Sequence, residues 1–173
     1  MKVDKSKPKI IVWVKAVHRG LATLNTVDCI VRSARWEDLI HIISIEKQSF
    51  PPEEVFPSWI FINILKLDPE LLIVVDCKGS VEGYAMGVVE DDACHLISIA
   101  VAPSSRGRGL GRMLLKSFEG ICKDRGLAKV VLEVKVDNII ALNLYKSEGY
   151  KVERILPRYY PDGSNAYRMT KRI

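Results

Sequence analysis

The chain has 173 residues, 48% of them hydrophobic and 27% charged, a size and balance that suit one domain with a sizeable core and exclude a wholly disordered chain. Its formal net charge of +5 fits a polyanionic ligand, a nucleic-acid surface or an acidic peptide and does not choose among them. No apolar run is long enough to span a bilayer, and the run at 10–14 is too short for a signal sequence, so a cytoplasmic protein with no membrane partner is expected.

In chain order, residues 1–26 read as an N-terminal extension without an assignable role, with Lys-rich residues 1–8 and an alternating segment at 9–17 that suits an extra strand or a leader. Residues 27–173 read as one domain. Segment 27–32 suits a strand, and 36–48 places Leu39, Ile42 and Ile43 on one helical face. Pro51, Pro52 and Pro57 mark a loop before a second apolar helix at 58–65. Two β-rich runs, 71–75 and 81–89, flank a turn at 78–80, and a further strand is expected at 94–101. The period then changes: Leu110, Met113, Leu114, Phe118 and Ile121 recur at helical spacing over 110–123, with Gly126 placed to end the helix. Segment 129–136 alternates, so Glu133 and Lys135 point away from the face that carries 130, 132, 134 and 136. Asn138 suits the cap of a short helix over 139–147, and strands at 151–156 and 166–171 close the chain. Antiparallel strands followed by a β-α-β-α-β run give a mixed α/β class with a central sheet.

Cys29, Cys77, Cys94 and Cys122 form no C-x-x-C pair. They are expected as four reduced thiols packed as small apolar groups, and no metal site is expected.

The most informative segment is Val101-Ala102-Pro103-Ser104-Ser105-Arg106-Gly107-Arg108-Gly109-Leu110-Gly111-Arg112. Glycines at 107, 109 and 111 let the main chain turn sharply and approach a ligand, just where a helix start presents unsatisfied N–H groups and the positive end of its dipole. Arg106, Arg108 and Arg112 add charge, so the segment is built for an anion such as a pyrophosphate. The spacing fits neither the dinucleotide G-x-G-x-x-G nor the Walker pattern. A glycine-rich turn with solvated arginines, or an RNA-binding Arg-Gly segment, stays open on these residues alone.

Three ordered motifs carry a resemblance: Arg106-x-x-Gly109-x-Gly111 behind a strand at 95–101, then Leu132-Glu133-Val134-Lys135-Val136-Asp137-Asn138, then Ala141 to Tyr150, with a tail from Tyr159-Tyr160 to Met169. From residue 27 onward the chain resembles the GNAT N-acetyltransferases, and within them the RimI-like and archaeal protein N-terminal acetyltransferases. The resemblance implies a largely antiparallel mixed sheet with a β-α-β-α core, helices on both faces, and acetyl-CoA as cosubstrate. Ile99, Ala100 and Val101 would pair with the pantetheine arm. Arg106, Gly107, Arg108, Gly109, Leu110, Gly111 and Arg112 would wrap the pyrophosphate, and Asn138 and Tyr145 would line the thioester end. Glu133 matches a general base and Tyr145 a general acid. Glu54 and Phe56 fall where relatives bind peptide, and Tyr159 and Tyr160 fall on a loop that closes over it. His95 stands beside Glu133 as a second base, a substrate contact or a plain hydrogen-bonded histidine. Asn165 and Phe56 depart from the family pattern, where an acidic residue and a tyrosine are usual.

The implied activity is direct acetyl transfer to the N-terminal α-amine of proteins, ribosomal or nascent chains among them. The α-amine, with a pKa of about 7.7–8.0 against about 10.4 for lysine, is partly neutral at neutral pH and easily deprotonated. No Ser or Cys stands in a nucleophile arrangement, in agreement with direct transfer. Acetylation of lysine or a small amine, and a non-catalytic module for CoA or nucleic acid, are the competing readings; a nucleic-acid partner is not expected.

Overall fold

The computed structural model describes residues 28–173. The expectations for residues 1–26, including the extra strand at 9–17, lie outside the described residues.

A seven-stranded sheet is built from β1 (Cys29–Ser33), β2 (Leu72–Cys77), β3 (Ser80–Glu90), β4 (Ala93–Val101), β5 (Lys129–Lys135), β6 (Lys151–Leu156) and β7 (Ala166–Arg172), in the order β1-β2-β3-β4-β5-β7-β6. Every neighbouring pair is antiparallel except β4 and β5, which run parallel and are joined by a helical crossover. The helices are α1 (Leu39–Ser49), α2 (Ser58–Leu67), α3 (Leu110–Asp124) and α4 (Ile139–Ser147). α1 is preceded by a 3-10 turn at Trp36–Asp38, which splits the single helix expected at 36–48.

Two cores lie on opposite faces of the sheet. One gathers Leu110, Leu114, Phe118, Leu142 and Tyr145 against Val130, Leu132, Val134 and Met169. The other gathers Ile42, Ile45, Phe61 and Leu65 against Leu72, Val74, Tyr84 and Met86. Helices therefore cover both faces, as expected. The alternation of β5 sorts its residues accordingly: Val130, Leu132 and Val134 go under α3 and α4, while Glu133 and Lys135 turn to the face of α1 and α2. α1 and α2 pack on β2, β3 and β4, which leaves Glu133 and Lys135 beyond the edge of their cover.

The cysteines correct the sequence expectation of four reduced thiols. Cys29 pairs with Cys77 and Cys94 with Cys122. Cys29 and Cys77 are directly opposite in the β1–β2 register, and Cys94 on the inner face of β4 lies under Cys122 of α3 in one core cluster. Sequence separations of 48 and 28 conceal both contacts.

One irregularity shapes the centre. Met86 pairs with Ser98 and Gly87 with Leu96, so Ile97 is an extra residue in β4, a bulge that bends the strand. Gly87 sits at this bend because a Cβ there would run into the His95 carbonyl of β4 and would lie 2.5 Å from the Phe118 ring. Among the described residues no helix is long and apolar enough to cross a membrane.

Candidate active site

The parallel pairing of β4 and β5 covers only Ala93–Leu96 against Lys129–Leu132. Beyond Leu96 and Leu132 the strands part, β4 staying with β3 and β5 with β7. The wedge leaves the stretch Ile99–Val101 without a strand neighbour on the β5 side, and the main-chain groups that alternate toward that side, those of Ile99 and Val101, are not used by the sheet, while Ala100 faces β3. An extended ligand can take those positions as a short strand would. α3 follows β4, and α4 follows β5, so both helices start at the mouth of the wedge.

At that mouth the chain turns through Pro103–Ser105 and the Arg106–Gly109 loop. Gly107 and Gly109 have φ of +75° and +79°, a region that side-chain-bearing residues rarely adopt. Gly109 is the N-cap of α3, so Leu110, Gly111 and Arg112 have no carbonyl one turn behind them to receive their N–H groups. A Cβ added at Gly107 or Gly109 would meet nothing within 4 Å, so the backbone is bare on its outer side. A diphosphate fits this cradle. The three arginines are already engaged: Arg106 donates to the Val101 carbonyl and Ser49, Arg108 to Ser105, and Arg112 to Ser147, with Arg112 Nε 2.6 Å from Glu148. Asn138 caps α4 by accepting the Ala141 N–H at 3.1 Å. Gly111, in the first turn of α3, faces Leu144 of α4 and Val101 of β4, where a Cβ would make ordinary contacts at 3.7 and 3.9 Å.

Glu133 lies at the apex of the wedge, its side chain only 7% exposed. Its Oε2 is 2.5 Å from His95 Nε2, and its Oε1 accepts from Arg168 at 2.6 Å. Arg168 is the cross-strand partner of Glu133 on β7. Burial works against the Glu133 charge, but His95 and Arg168 outweigh it and hold the carboxyl below its ordinary range. The same hydrogen bond raises the His95 pKa above 6.5, against burial and with help from Glu90, whose Oε1 is 3.3 Å from Nδ1. A cleft of about 130 Å³ opens beside this pair, lined by Glu90, Asp92, His95, Lys129 and Arg168 among others.

Tyr145, on α4, is buried in the core with α3 and packs against Tyr150 with ring centroids 5.7 Å apart. Burial, and then the neighbouring Tyr160, raise its pKa, so the phenol keeps its proton at neutral pH.

Two loops flank the Glu133 side. The first joins α1 to α2 and carries Glu54 and Phe56. The Phe56 N–H is held by the buried Glu46 carboxylate, and its ring packs on the α1–α2 core. Glu46 also accepts from the Tyr84 hydroxyl, which meets Ser98 Oγ at 2.8 Å beside the bulge. The second joins β6 to β7 and carries Tyr159 and Tyr160 as an edge-to-face pair, centroids 5.2 Å apart. Asn165 holds this loop by accepting the N–H of Arg158, which has φ +51°. Lys135 stands between the loops, bonded to Glu54 and Asp162.

The expected residues thus fall into three groups. The cradle and Ile99–Val101 line the wedge from one side. Glu133 and His95 meet at its apex, while Tyr145 is buried on α4. Glu54, Phe56, Tyr159 and Tyr160 sit on two loops facing each other across Lys135. Sequence reasoning missed Arg168, the Glu46–Tyr84–Ser98 network, the bulge at Ile97 and the bridging role of Lys135. Alternation in 166–171 puts Arg168 on one face with Ala166 and Thr170, but only the β5–β7 register sets Arg168 opposite Glu133.

Comparison with known proteins agrees with this architecture. The sequence matches the acetyltransferase (GNAT) family over residues 36–150. It is 34% identical over 152 residues to an N-alpha-acetyltransferase of Sulfurisphaera tokodaii, covering 80% of this chain and 90% of that one. The crystal structure of Ard1 from Thermoplasma volcanium superposes with a TM-score of 0.79 at 27% identity, covering 84% of this chain and 98% of that one. The PaiA N-acetyltransferase of Thermoplasma acidophilum, determined with coenzyme A, shares the fold with a TM-score of 0.71 at 20% identity, covering 84% and 99%.

Proposed function

The chain belongs to the acetyltransferase (GNAT) family, and from that premise we propose that it acetylates the N-terminal α-amine of proteins, with acetyl-CoA as the donor and direct transfer in a ternary complex. Acetyl-CoA, when bound, supplies the activated acyl group as a thioester. The observation that carries the reading is the parting of β4 and β5 just beyond Leu96 and Leu132, which sets a phosphate cradle at the mouth and a buried acid–base pair at the apex.

Each residue has a part in this proposal. The main-chain groups of the Ile99–Val101 stretch that face the wedge align the donor arm, and the N–H groups from Gly107 to Arg112 hold its diphosphate. Asn138 and Tyr145 border the thioester end. The His95–Glu133 pair takes the proton that the amine releases as its nitrogen bonds the acyl carbon. With both Glu133 oxygens already engaged, the base-competent state is the one with His95 neutral. The Tyr145 phenol, protonated at neutral pH as any tyrosine is and raised further by burial, donates toward the sulfur as the carbon–sulfur bond breaks. Tyr159 and Tyr160 close over the acceptor backbone, and Phe56 borders its first side chain.

The proposed acceptors are ribosomal or nascent chains in the cytoplasm. Two disulfides there require a cytosol that sustains them, as in some hyperthermophiles. The test is a peptide library incubated with acetyl-CoA and read by mass spectrometry, in which free α-amines compete with blocked peptides carrying internal lysine, and with polyamines. Label on free N-termini is expected. Label confined to lysine or small amines would overturn the proposal.

A further inference from the structure

Lys135, the last residue of β5, makes contacts that join three distant parts of the chain. Its Nζ lies 2.5 Å from Glu54 Oε1 on the α1–α2 loop and 2.8 Å from Asp162 Oδ2 on the β6–β7 loop. It also lies 5.0 Å from the centroid of the Tyr160 ring, within cation–π range. The Glu54 side chain is 9% exposed and that of Lys135 is 19% exposed, so this is a largely desolvated pair. Each loop is also braced by other contacts. On the first, Glu46 holds the Phe56 N–H. On the second, Asp162 Oδ1 accepts the Ser164 N–H, Tyr160 N–H donates to the Ser164 carbonyl, and Gly163 N–H donates to the Tyr160 carbonyl. Two preformed loops are thus fastened to one ammonium, two residues beyond Glu133 on the same face of β5.

We infer that Lys135 is a positioning residue for the acceptor: it clasps the α1–α2 and β6–β7 loops into one wall of the acceptor groove, and Glu54 serves as its anchor rather than as a receptor for the substrate's ammonium. The inference rests on the acceptor-side reading above and deepens it. Glu54 spends its charge on Lys135, so an incoming amine finds its proton acceptor at His95 and Glu133, where the base lies. An acceptor main chain lies against Tyr159 and Tyr160 only while their loop is held. Glu54 and Asp162 are both opposite in charge to Lys135 and alike in charge to each other. Removing the ammonium therefore unties the loops and also leaves like charges facing one another.

The test compares Lys135→Met, Lys135→Arg, Glu54→Gln and the Lys135→Met/Glu54→Gln double variant with the whole wild-type chain. In Lys135→Met the KM for a peptide with a free α-amine should rise about ten-fold or more. The acetyl-CoA Kd, measured by calorimetry, should stay within about two-fold, because the cradle is untouched. Lys135→Arg should recover most of the peptide KM. The double variant should be no worse than the worse single one, since both changes break the same clasp. Hydrogen exchange gives a readout independent of turnover: amides of both 53–56 and 159–164 should exchange faster in Lys135→Met and in Glu54→Gln, with α3 unchanged. Wild-type peptide KM together with unaltered exchange in either variant would overturn the inference, as would an acetyl-CoA Kd that weakens as much as the peptide KM. If the wild-type protein acetylates no free α-amine, the functional proposal fails, and coupled exchange of the two loops alone then decides whether the clasp exists.

Discussion

His95 and Glu133 lie on the two strands that part at the centre of the sheet, with Nε2 and Oε2 2.5 Å apart. Each stabilises the charged form of the other, raising the histidine pKa above 6.5 and holding the carboxyl below 4.5. Neutral His95 is the form able to accept a proton, so kcat should climb with pH along a limb that lies above 6.5. In Glu133→Gln the principal cause of the raised pKa is gone, and the limb should move to lower pH while the maximal rate falls. Profiles of kcat against pH for the two proteins check this; coincident limbs would remove the pair from proton transfer.

Gly109→Glu should weaken acetyl-CoA binding by at least about ten-fold. The position has φ +79°, where a residue with a side chain costs about 1–2 kcal/mol, and the new carboxylate meets the ligand's own negative charge. Calorimetric titration with acetyl-CoA checks it, with circular dichroism to show the fold is kept. An unaltered Kd would mean that the diphosphate is held elsewhere.

Tyr145→Phe removes a phenol that burial keeps protonated. Turnover should drop by about 10²-fold, the scale of a lost general acid, while the acetyl-CoA Kd stays within about two-fold. Wild-type turnover would assign Tyr145 to packing against Tyr150 alone.

Glu46 is fully buried and serves Phe56 N–H and Tyr84 O–H together. Glu46→Leu would leave both donors without that partner, at about 1–3 kcal/mol for each group left unpaired. Adding Tyr84→Phe should then cost less than it does in the wild-type chain, because the hydroxyl it removes has already lost its Glu46 acceptor and keeps only Ser98 Oγ. Denaturant melts of the single and double variants measure this; strictly additive losses would show that the two residues do not act together.

Cys29–Cys77 and Cys94–Cys122 close segments 48 and 28 residues apart. On the chain-entropy scale each contributes about 4 kcal/mol. The melting temperature should fall markedly under a strong reductant at neutral pH, and equal melting temperatures with and without it would show that the thiols are free in solution.

Features written over a few neighbouring residues were legible before folding was considered. The turn from Arg106 to Gly111 shows itself because glycine is the residue that accepts φ near +75°, and a helix of visible period begins directly after it. Asn138 announces its helix for the same reason, since a cap bonds only three residues ahead. Alternation in β5 separated Glu133 and Lys135 from the core side, and that separation holds. Who meets whom across the sheet was settled only by the folded arrangement. Glu133 finds His95 38 residues back and Arg168 35 residues on, and these meetings depend on strand order and register, which composition and period do not encode. Cys29 opposite Cys77, Glu46 beneath Phe56 and Lys135 between two loops follow from the same register. Local spacing fixes the shape of a segment; the partner of each charge is set by the packing of segments far apart in the chain, where burial makes an unpaired group too costly to leave alone.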